Sequence, residues 1–394
     1  MEYGAASQNL VCQFRMDEIK EVTVFTLGDS TRLSTWSNVP YFFTETLKSK
    51  GVGVNRVDLS PPTVIDWIYR RIILRMLRMI YPDTTSEYFR TFAHAIVVRW
   101  RIHRADRAFR HSEANIFLTF SFSSAGISEK PSVQFCDWPY EYYLKKFVRR
   151  SPDPVEETSI ARENRRIESS QLVLSLFPSV AEEMKRRYRN KHIYYLGNVI
   201  NALLPPGNKD DALQAKRISR KLLFIGAKKY LEAAAHLVDA FTILAKEYPG
   251  LELDIVGLSR DDLGEVPPGV SLHGYLDKGV ERERVTYYSL LRGARAFVNT
   301  SAAWGAFSAA VEAMYFYNPV VVAPYADFVK TFGAEIGCGY YCDGSSVERL
   351  CSSIRRIFLE DSYDDLCTSA HDSVKDFLWS SYVDRVLETM KARL

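Results

Sequence analysis

The sequence is poor in the residues that build disulfide frameworks and metal sites. It has six cysteines in 394 residues, none of them in a CxxC pair, and its seven histidines are dispersed. It also lacks a DxD pair of carboxylates that could hold a divalent cation. These absences argue against a disulfide-stapled scaffold and a zinc site, so we expect a reduced, cytoplasmic protein without a metal cofactor.

Long apolar runs and a strong net charge are missing as well. No run approaches the roughly 18 apolar residues that span a bilayer, and the first residues lack the basic and apolar regions of a signal peptide. The formal net charge is only +3, from 51 Lys and Arg against 48 Asp and Glu, so the overall charge does not predict a nucleic-acid partner. A composition of 47% hydrophobic and 25% charged residues is typical of a globular protein, and the length suits two domains.

Short apolar runs alternate with longer helical patterns over most of the chain. This alternation predicts an α/β fold with doubly wound parallel sheets, because strands buried on both faces are apolar throughout. The proline, glycine and charges of 203–219 predict a linker between two Rossmann-like units. The predicted strands are 22–28, 115–120, 132–136, 172–176 and 193–197 in the first half, and 221–226, 251–257, 270–273, 295–299 and 319–323 in the second.

Three strand-to-helix turns are candidates for binding an anion, because ligands of such folds bind beyond the carboxyl ends of the strands. The first contains Gly28, and its alternative is an ordinary tight turn. The second contains Gly226 with Lys228 and Lys229, which could neutralise a diphosphate or belong to a solvated loop. In the third, 299–323, Glu312 is a lone acid on an apolar helix. It needs a partner, either ribose hydroxyls or a neighbouring Arg or backbone N–H.

The second half resembles the donor domain of retaining glycosyltransferases with the GT-B fold, in particular glycosyltransferase family 4. The resemblance covers about 219–345, and GNVIN at 197–201 is similar to the family's domain junction. The matching strings are KLLFIG, HLVDAF with EYPGLELDIVG, PPGVSLHGYLDK, YYSLLRGARAFVNTS and VEAMYFYNPVVVAPYADFV.

The resemblance implies two Rossmann-like domains facing a central cleft. These are an acceptor domain over 1–200, a linker over 201–218, a donor domain over 219–375 and a C-terminal helix over 376–394 that packs back toward the first domain. The implied reaction moves a sugar with retention from a UDP- or GDP-linked donor to a hydroxyl of a glycan or lipid-linked acceptor, as in polysaccharide biosynthesis. Lysines and backbone N–H groups would carry the diphosphate charge in place of a metal.

Residue by residue, the resemblance makes Glu312 the second Glu of the family's E-x7-E motif, a contact to the donor ribose. Trp304 stands in place of the first Glu, and Glu232-Ala233-Ala234 stands where the family has Lys-Gly. Asp137 follows Cys136 where many members carry a His, and is a candidate contact to acceptor or sugar. The other implied donor contacts are Gly226, His273, Tyr275, Leu276, Gly305, Ala306, Phe307 and Ser308, with Lys228 or Lys229 at the diphosphate.

Two other functions stay open at this point. Trp304 in place of a catalytic Glu is compatible with a non-catalytic GT-B subunit that binds or activates a partner transferase. A nucleotide-sugar epimerase or hydrolase could use the same architecture, because fold alone does not fix the reaction.

The first half carries a strong local charge that the total conceals. From Arg70 to His111 there are ten Arg, no Lys and three acidic residues, with apolar residues interleaved. Residues 66–111 could bind an anionic membrane surface, which would suit a lipid-linked acceptor. The alternatives are a basic groove for an anionic glycan, a subunit interface, or a solvated helix packed on the core.

Overall fold

The computed structural model describes residues 19–302, 307–344 and 346–394. Two parallel sheets of six strands form in the two halves, with strand orders β2-β1-β3-β4-β5-β6 and β12-β11-β10-β7-β8-β9, where strands are numbered along the chain. Helices connect the strands and cover both faces of each sheet. The expectation of two doubly wound Rossmann-like units is therefore confirmed.

The first half begins with a strand whose sequence, EVTVFT, is buried from its second residue onward. Its neighbours in the sheet centre are equally apolar, which matches strands that are covered on both faces. The elements are β1 Glu21–Thr26, α1 Val39–Ser49, β2 Gly53–Asp58, α2 Thr63–Ile68, a π-helical turn Tyr69–Ile73, α3 Leu74–Ile80, α4 Phe92–Ala108, β3 Ala114–Phe117, β4 Ser132–Cys136, α5 Tyr140–Tyr143, a π-helical turn Leu144–Val148, α6 Pro154–Ser169, β5 Leu172–Ser175, α7 Pro178–Arg187 and β6 Ile193–Tyr195.

The second half repeats this organisation after a helix in the expected linker. Short 3-10 turns cover Lys228–Tyr230 here and Thr35–Asn38 and Tyr88–Arg90 in the first half. The elements are α8 Lys209–Ile218, β7 Lys221–Ile225, α9 Leu231–Glu247, β8 Glu252–Val256, α10 Arg260–Leu263, β9 Val270–Gly274, α11 Glu281–Gly293, β10 Ala296–Asn299, α12 Phe307–Tyr315, β11 Val320–Val322, α13 Ala326–Phe332, β12 Gly339–Tyr341, α14 Val347–Leu359, α15 Tyr363–Asp372 and α16 Trp379–Arg393.

The last helix, α16, crosses back to the first half. Its buried face, which includes Trp379, Tyr382 and Val386, belongs to the same apolar cluster as β1, β3 and β4. The Trp379 ring stacks on Phe42 with the centroids 6.2 Å apart. The helix therefore closes the first half of the molecule with residues from the end of the chain. None of the described helices is both long and apolar enough to cross a membrane.

Two strands were not predicted, β2 and β12, and each lies at an edge of its sheet. The sequence of β2, GVNRVD, has only two apolar residues, and β12 is three residues long. An edge strand is covered less completely than a central one, so it does not need a continuous apolar run. Apolar runs therefore predicted the sheet centres and missed these two edges.

Candidate functional site

A cleft of about 730 Å³ lies between the two halves. Its lining comes from the segments that follow β1, β4 and β5 in the first sheet and β7, β8 and β9 in the second. The carboxyl ends of two parallel sheets thus face one another across the cleft, which is where ligands of open α/β sheets bind. Glycines allow close backbone approach in its wall, since a Cβ on Gly257 would lie 2.5 Å from the carbonyl oxygen of Gly226.

Asp137 is the acidic group that the first half places in the cleft wall directly after β4. Its Oδ2 accepts a hydrogen bond of 3.4 Å from the Trp36 indole N–H, and the Cys136 thiol lies 3.4 Å from Oδ1. Burial raises the pKa of Asp137, while these hydrogen bonds and the positive charge of Lys229 oppose the rise. The carboxyl group is therefore held in a partly desolvated place, where a small change in surroundings alters its protonation.

Two adjacent lysines after β7 point to different places. Lys229 lines the cleft, and burial lowers the pKa of its ammonium group while the charge of Asp137 opposes the change. Lys228 is exposed, with 78% of its side chain accessible, and pairs with Asp262 at 3.3 Å. Of this pair, it is therefore Lys229 that faces a ligand in the cleft, opposite Asp137 from the other half.

Glu312 is the centre of a buried polar cluster in the cleft wall. Lys278 Nζ lies 2.6 Å and 2.8 Å from the two carboxylate oxygens, and the hydroxyls of Tyr287 and Tyr288 donate over 2.9 Å and 3.4 Å. Only 4% of the Glu312 side chain and 9% of the Lys278 side chain are exposed. Burial, followed by the negative charge of Glu312, raises the pKa of both tyrosines. The lone acid of α12 thus has a lysine partner from the segment after β9.

Asn201 connects this cluster to the first half and to the last helix. Its backbone carbonyl accepts a hydrogen bond of 3.0 Å from Lys278, and its side-chain oxygen accepts one of 2.9 Å from the Trp379 indole. Its amide nitrogen donates to the Ser37 carbonyl over 2.9 Å. One residue at the junction therefore joins the cleft walls of both halves.

No family model matches the sequence, and no curated protein matches it significantly. Solved structures are similar in fold. Sucrose-phosphate synthase from Thermosynechococcus elongatus has a TM-score of 0.65 at 15% identity, over 95% of this chain and 98% of that one. Anabaena HepE in complex with UDP and glucose has a TM-score of 0.61 at 12% identity, over 94% and 99%. TarM has a TM-score of 0.55 at 13% identity over 73% of this chain, which spans 57% of TarM.

The chain has the GT-B fold. The sequence-based expectation of this fold is confirmed, because these neighbours share the arrangement of two Rossmann-like domains around a cleft. Identities of 12–15% establish the architecture, and the chemistry has to be argued from the cleft residues of this chain.

The GT-B cleft brings together most of the described candidate residues. Those that line it are Asp137, Gly226, Lys229, Tyr275, Leu276, Phe307, Ser308 and Glu312. Gly28, Lys228 and His273 are not among the lining residues. The Gly28 N–H donates to Asp58 over 3.0 Å, and His273 Nε2 lies 2.7 Å from the Asp254 carboxylate. Trp304, Gly305 and Ala306 lie outside the described residues.

Several lining residues were missed from the sequence. Lys278 is contained in the string GYLDKG, but nothing local marks it as the partner of an acid 34 positions away. Trp36, Trp138 and Phe177 give the first half an aromatic wall, and Phe177 meets Phe307 of the other half edge-on at 5.8 Å. In the part of the chain that the structure describes, no group of three or more His, Cys, Asp or Glu could hold a metal ion.

A second pocket of about 430 Å³ adjoins the cleft within the N-terminal domain. Trp36, Asp137 and Trp138 line both cavities, so they stand at the junction of the two. The rest of the second pocket combines apolar, aromatic and charged groups. It includes Thr26, Leu27, Thr85, Glu87, Phe89, Arg90, Thr119, Ser121, Tyr140 and Tyr143.

Proposed function

We propose that this protein is a retaining glycosyltransferase that moves a sugar from a nucleoside-diphosphate sugar to a hydroxyl of a glycan or lipid-linked acceptor. The observation that supports it most is the junction of the two cavities. Asp137 lies there, opposite Lys229, and each cavity has room for one substrate. A donor in the interdomain cleft and an acceptor in the N-terminal pocket would meet beside Asp137.

Printed descriptions of the structural neighbours are compatible with a uridine donor. HepE is described with UDP and with UDP-glucose, and S. aureus TarM with UDP and alpha-GlcNAc-glycerol. We carry this over as a UDP- or GDP-linked donor for the present chain. Membership of family 4 and a place in polysaccharide biosynthesis are part of the same proposal.

The transfer breaks the bond between the sugar's anomeric carbon and the diphosphate oxygen. The acceptor oxygen forms the new bond to that carbon on the same face, and its proton passes to the departing phosphate oxygen. The leaving diphosphate gains negative charge, which the Lys229 ammonium and the N–H groups at the start of α12 near Ser308 would stabilise without a metal. Asp137, close to the anomeric carbon, would favour positive charge developing on the sugar and orient a hydroxyl.

The nucleoside would lie on the second domain between the segment after β9 and α12. Tyr275 and Leu276 line this part of the cleft and offer apolar surface to a base. Glu312 faces the same space through its hydrogen-bonded cluster with Lys278 and Tyr287. Because both carboxylate oxygens already accept hydrogen bonds, a ribose hydroxyl would have to replace a tyrosine there. Equal UDP and GDP affinities for wild type and Glu312→Gln would exclude the ribose contact.

A donor panel tests the reaction itself. Nucleoside diphosphates and their sugar conjugates are titrated against the protein, and release of the diphosphate is followed with and without acceptor. Acceptor-dependent release supports the transferase. Binding of nucleotides without turnover on any donor would indicate a non-catalytic subunit, and turnover without acceptor would indicate an epimerase or hydrolase.

The adjacent lysines supply a matched pair of variants for the diphosphate contact. Lys229→Ala should lower kcat by about 10²–10³, because it removes one preorganised charge from the leaving group. Lys228→Ala removes the same charge one residue away on an exposed side chain that pairs with Asp262, so its kcat should stay near wild type. Equal effects of the two variants would refute the assignment of Lys229.

A further inference from the structure

The exposed apolar surface of the molecule is concentrated in one region. Of the nineteen large apolar side chains that are exposed in the described residues, twelve lie between 64 and 100. Met79 is 84% exposed and Ile80 is 70% exposed. Scattered single apolar residues are normal on a protein surface, but a contiguous group of this size marks a binding surface. The twelve are Val64, Ile65, Trp67, Ile68, Ile72, Ile73, Met76, Met79, Ile80, Phe92, Ile96 and Trp100.

These side chains belong to two helical segments, Thr63–Ile80 and α4, which we call the arginine–apolar face. In the first segment, apolar residues recur every four positions from Val64 through Ile68, Ile72 and Met76 to Ile80. A four-residue step advances an α-helical row by about 40°, so a regular helix would rotate the row by roughly 160° along this length. The π-helical turn Tyr69–Ile73 takes up one extra residue and reverses much of that rotation. The row therefore stays on one side of the helix.

Neither segment needs its exposed residues for the fold. The first is held to the body by Tyr69 and Leu74, its buried side chains, and α4 by a separate buried row that includes His94. Tyr88 lies between the two segments, with ring centroids 5.6 Å from Tyr69 and 5.4 Å from His94. The segments thus pack on a shared point of the N-terminal domain, while Phe92, Ile96 and Trp100 of α4 remain exposed.

Arginines accompany the apolar side chains. The stretch from Arg70 to His111 has ten arginines against three acidic residues, a local charge of +7. Arg71 lies 5.9 Å from the Trp67 ring and Arg104 lies 5.5 Å from the Trp100 ring. Arg75 and Arg78 are exposed, and no described carboxylate pairs with either. Long cationic side chains beside exposed tryptophan and aliphatic groups suit a boundary between an apolar layer and a layer of negative charge.

We propose that the arginine–apolar face binds the surface of an anionic lipid bilayer, with the apolar row inserted at the headgroup–acyl boundary and the arginines on the headgroup phosphates. The charge complementarity selects this partner. A second copy docked through the same face would bring two surfaces of +7 together, and like charges in an interface are unfavourable. A nucleic acid would satisfy the arginines but leave Met79 and Ile80 exposed.

Docking in this way has a consequence for the second pocket, and this step rests on the proposed function. The connection between the two helical segments contains Thr85, Glu87, Phe89 and Arg90, which line that pocket. A bilayer bound on either side of the connection would place the acceptor pocket close to the membrane. The acceptor would then be amphiphilic, with a lipid part in the bilayer and its hydroxyl reaching Asp137.

Vesicle flotation tests the surface independently of any transfer activity. The full chain is mixed with phosphatidylcholine vesicles, with or without about one third phosphatidylglycerol, at low and high salt. Wild type should float with the anionic vesicles, less so at high salt. Arg75→Gln with Arg78→Gln should weaken that binding about thirtyfold. Met79→Ser with Ile80→Ser should weaken it at least about tenfold, because the apolar contribution is lost.

Ile218→Ser with Leu359→Ser provides the matched control, because these two side chains are 82% and 72% exposed on the other half of the molecule. This control should float like wild type. Failure of wild type to bind anionic vesicles at low salt would overturn the proposal. So would equal loss in the control pair, or a wild-type dimer that Met79→Ser with Ile80→Ser converts to a monomer while vesicle binding is unchanged.

Discussion

The ion pair between Lys278 and Glu312 is the interaction whose removal has the most direct consequences for the cleft. The variant Lys278→Met removes the ammonium group and keeps most of the side-chain volume. Glu312 then remains buried, with 4% of its side chain exposed and only the hydroxyls of Tyr287 and Tyr288 as donors. Two neutral hydrogen bonds do not replace a charge at 2.6 Å and 2.8 Å.

The magnitude follows from how completely the pair is buried. Removing one partner of a buried ion pair costs about 3–5 kcal/mol, since the other charge is left uncompensated. The single variants Lys278→Met and Glu312→Leu should each lose about that much free energy of unfolding. The double variant leaves no buried charge and should lose only about 2–4 kcal/mol, the cost of the orphaned tyrosine hydroxyls and the Asn201 carbonyl. The coupling energy is therefore at least about 2 kcal/mol.

Urea unfolding of wild type, both single variants and the double variant measures this coupling at pH 7. Tyrosine or tryptophan fluorescence reports the transition, and equal m-values show that the same surface is exposed in all four proteins. Additive losses, with a coupling energy below about 0.5 kcal/mol, would refute the view that Lys278 and Glu312 stabilise each other. A double variant that is folded but no longer binds UDP would show that the pair also serves the nucleoside.

Two further predictions concern buried titratable groups. Burial raises the pKa of Asp137, so the folded state holds its proton to higher pH than the unfolded state, and stability falls as pH rises from about 4 through the folded pKa. Asp137→Asn should therefore gain stability over wild type in thermal melts at pH 7 more than at pH 4, while losing transferase activity; no difference between the two pH values would contradict this. Burial lowers the pKa of Lys216 to about 7, so its unfolded state binds more protons between about pH 7 and 10, and stability should rise with pH there by up to about 1.4 kcal/mol per unit. Lys216→Met should remove this slope and, by orphaning Asn318 and three backbone carbonyls, cost about 3 kcal/mol in urea unfolding at pH 7; a wild-type slope in the variant would contradict it.

The fold could be predicted from the sequence because central parallel strands need apolar residues on both faces. Runs such as KLLFIG and LELDIVG carry that requirement locally and correspond to β7 and β8. The edge strands β2 and β12 have no such requirement, and the sequence contains no signal for them. The π-helical turn Tyr69–Ile73 was equally invisible, because the same residues are compatible with a continuous α-helix.

The site was less accessible to sequence reasoning. A buried acid such as Glu312 can be recognised by its apolar neighbours, and the need for a partner follows from electrostatics. Its partner Lys278 is supplied by the segment after a different strand, so only the topology identifies it. The choice between Lys228 and Lys229 depends on a single 3-10 turn that directs consecutive side chains to different sides. Neither fact is encoded in a local pattern.

The groups that meet in the cleft come from opposite domains, and this explains why each half shows its fold but neither shows the site. Asp137 follows β4 and Lys229 follows β7, so their separation is set by how the two sheets are held together. Asn201 contributes to that setting, because it binds Lys278, Trp379 and the Ser37 carbonyl at once. Relative movement of the domains would change the field that each charge exerts on the other, and with it both protonation states. The chemistry of the cleft is therefore a property of the interdomain arrangement that this junction maintains.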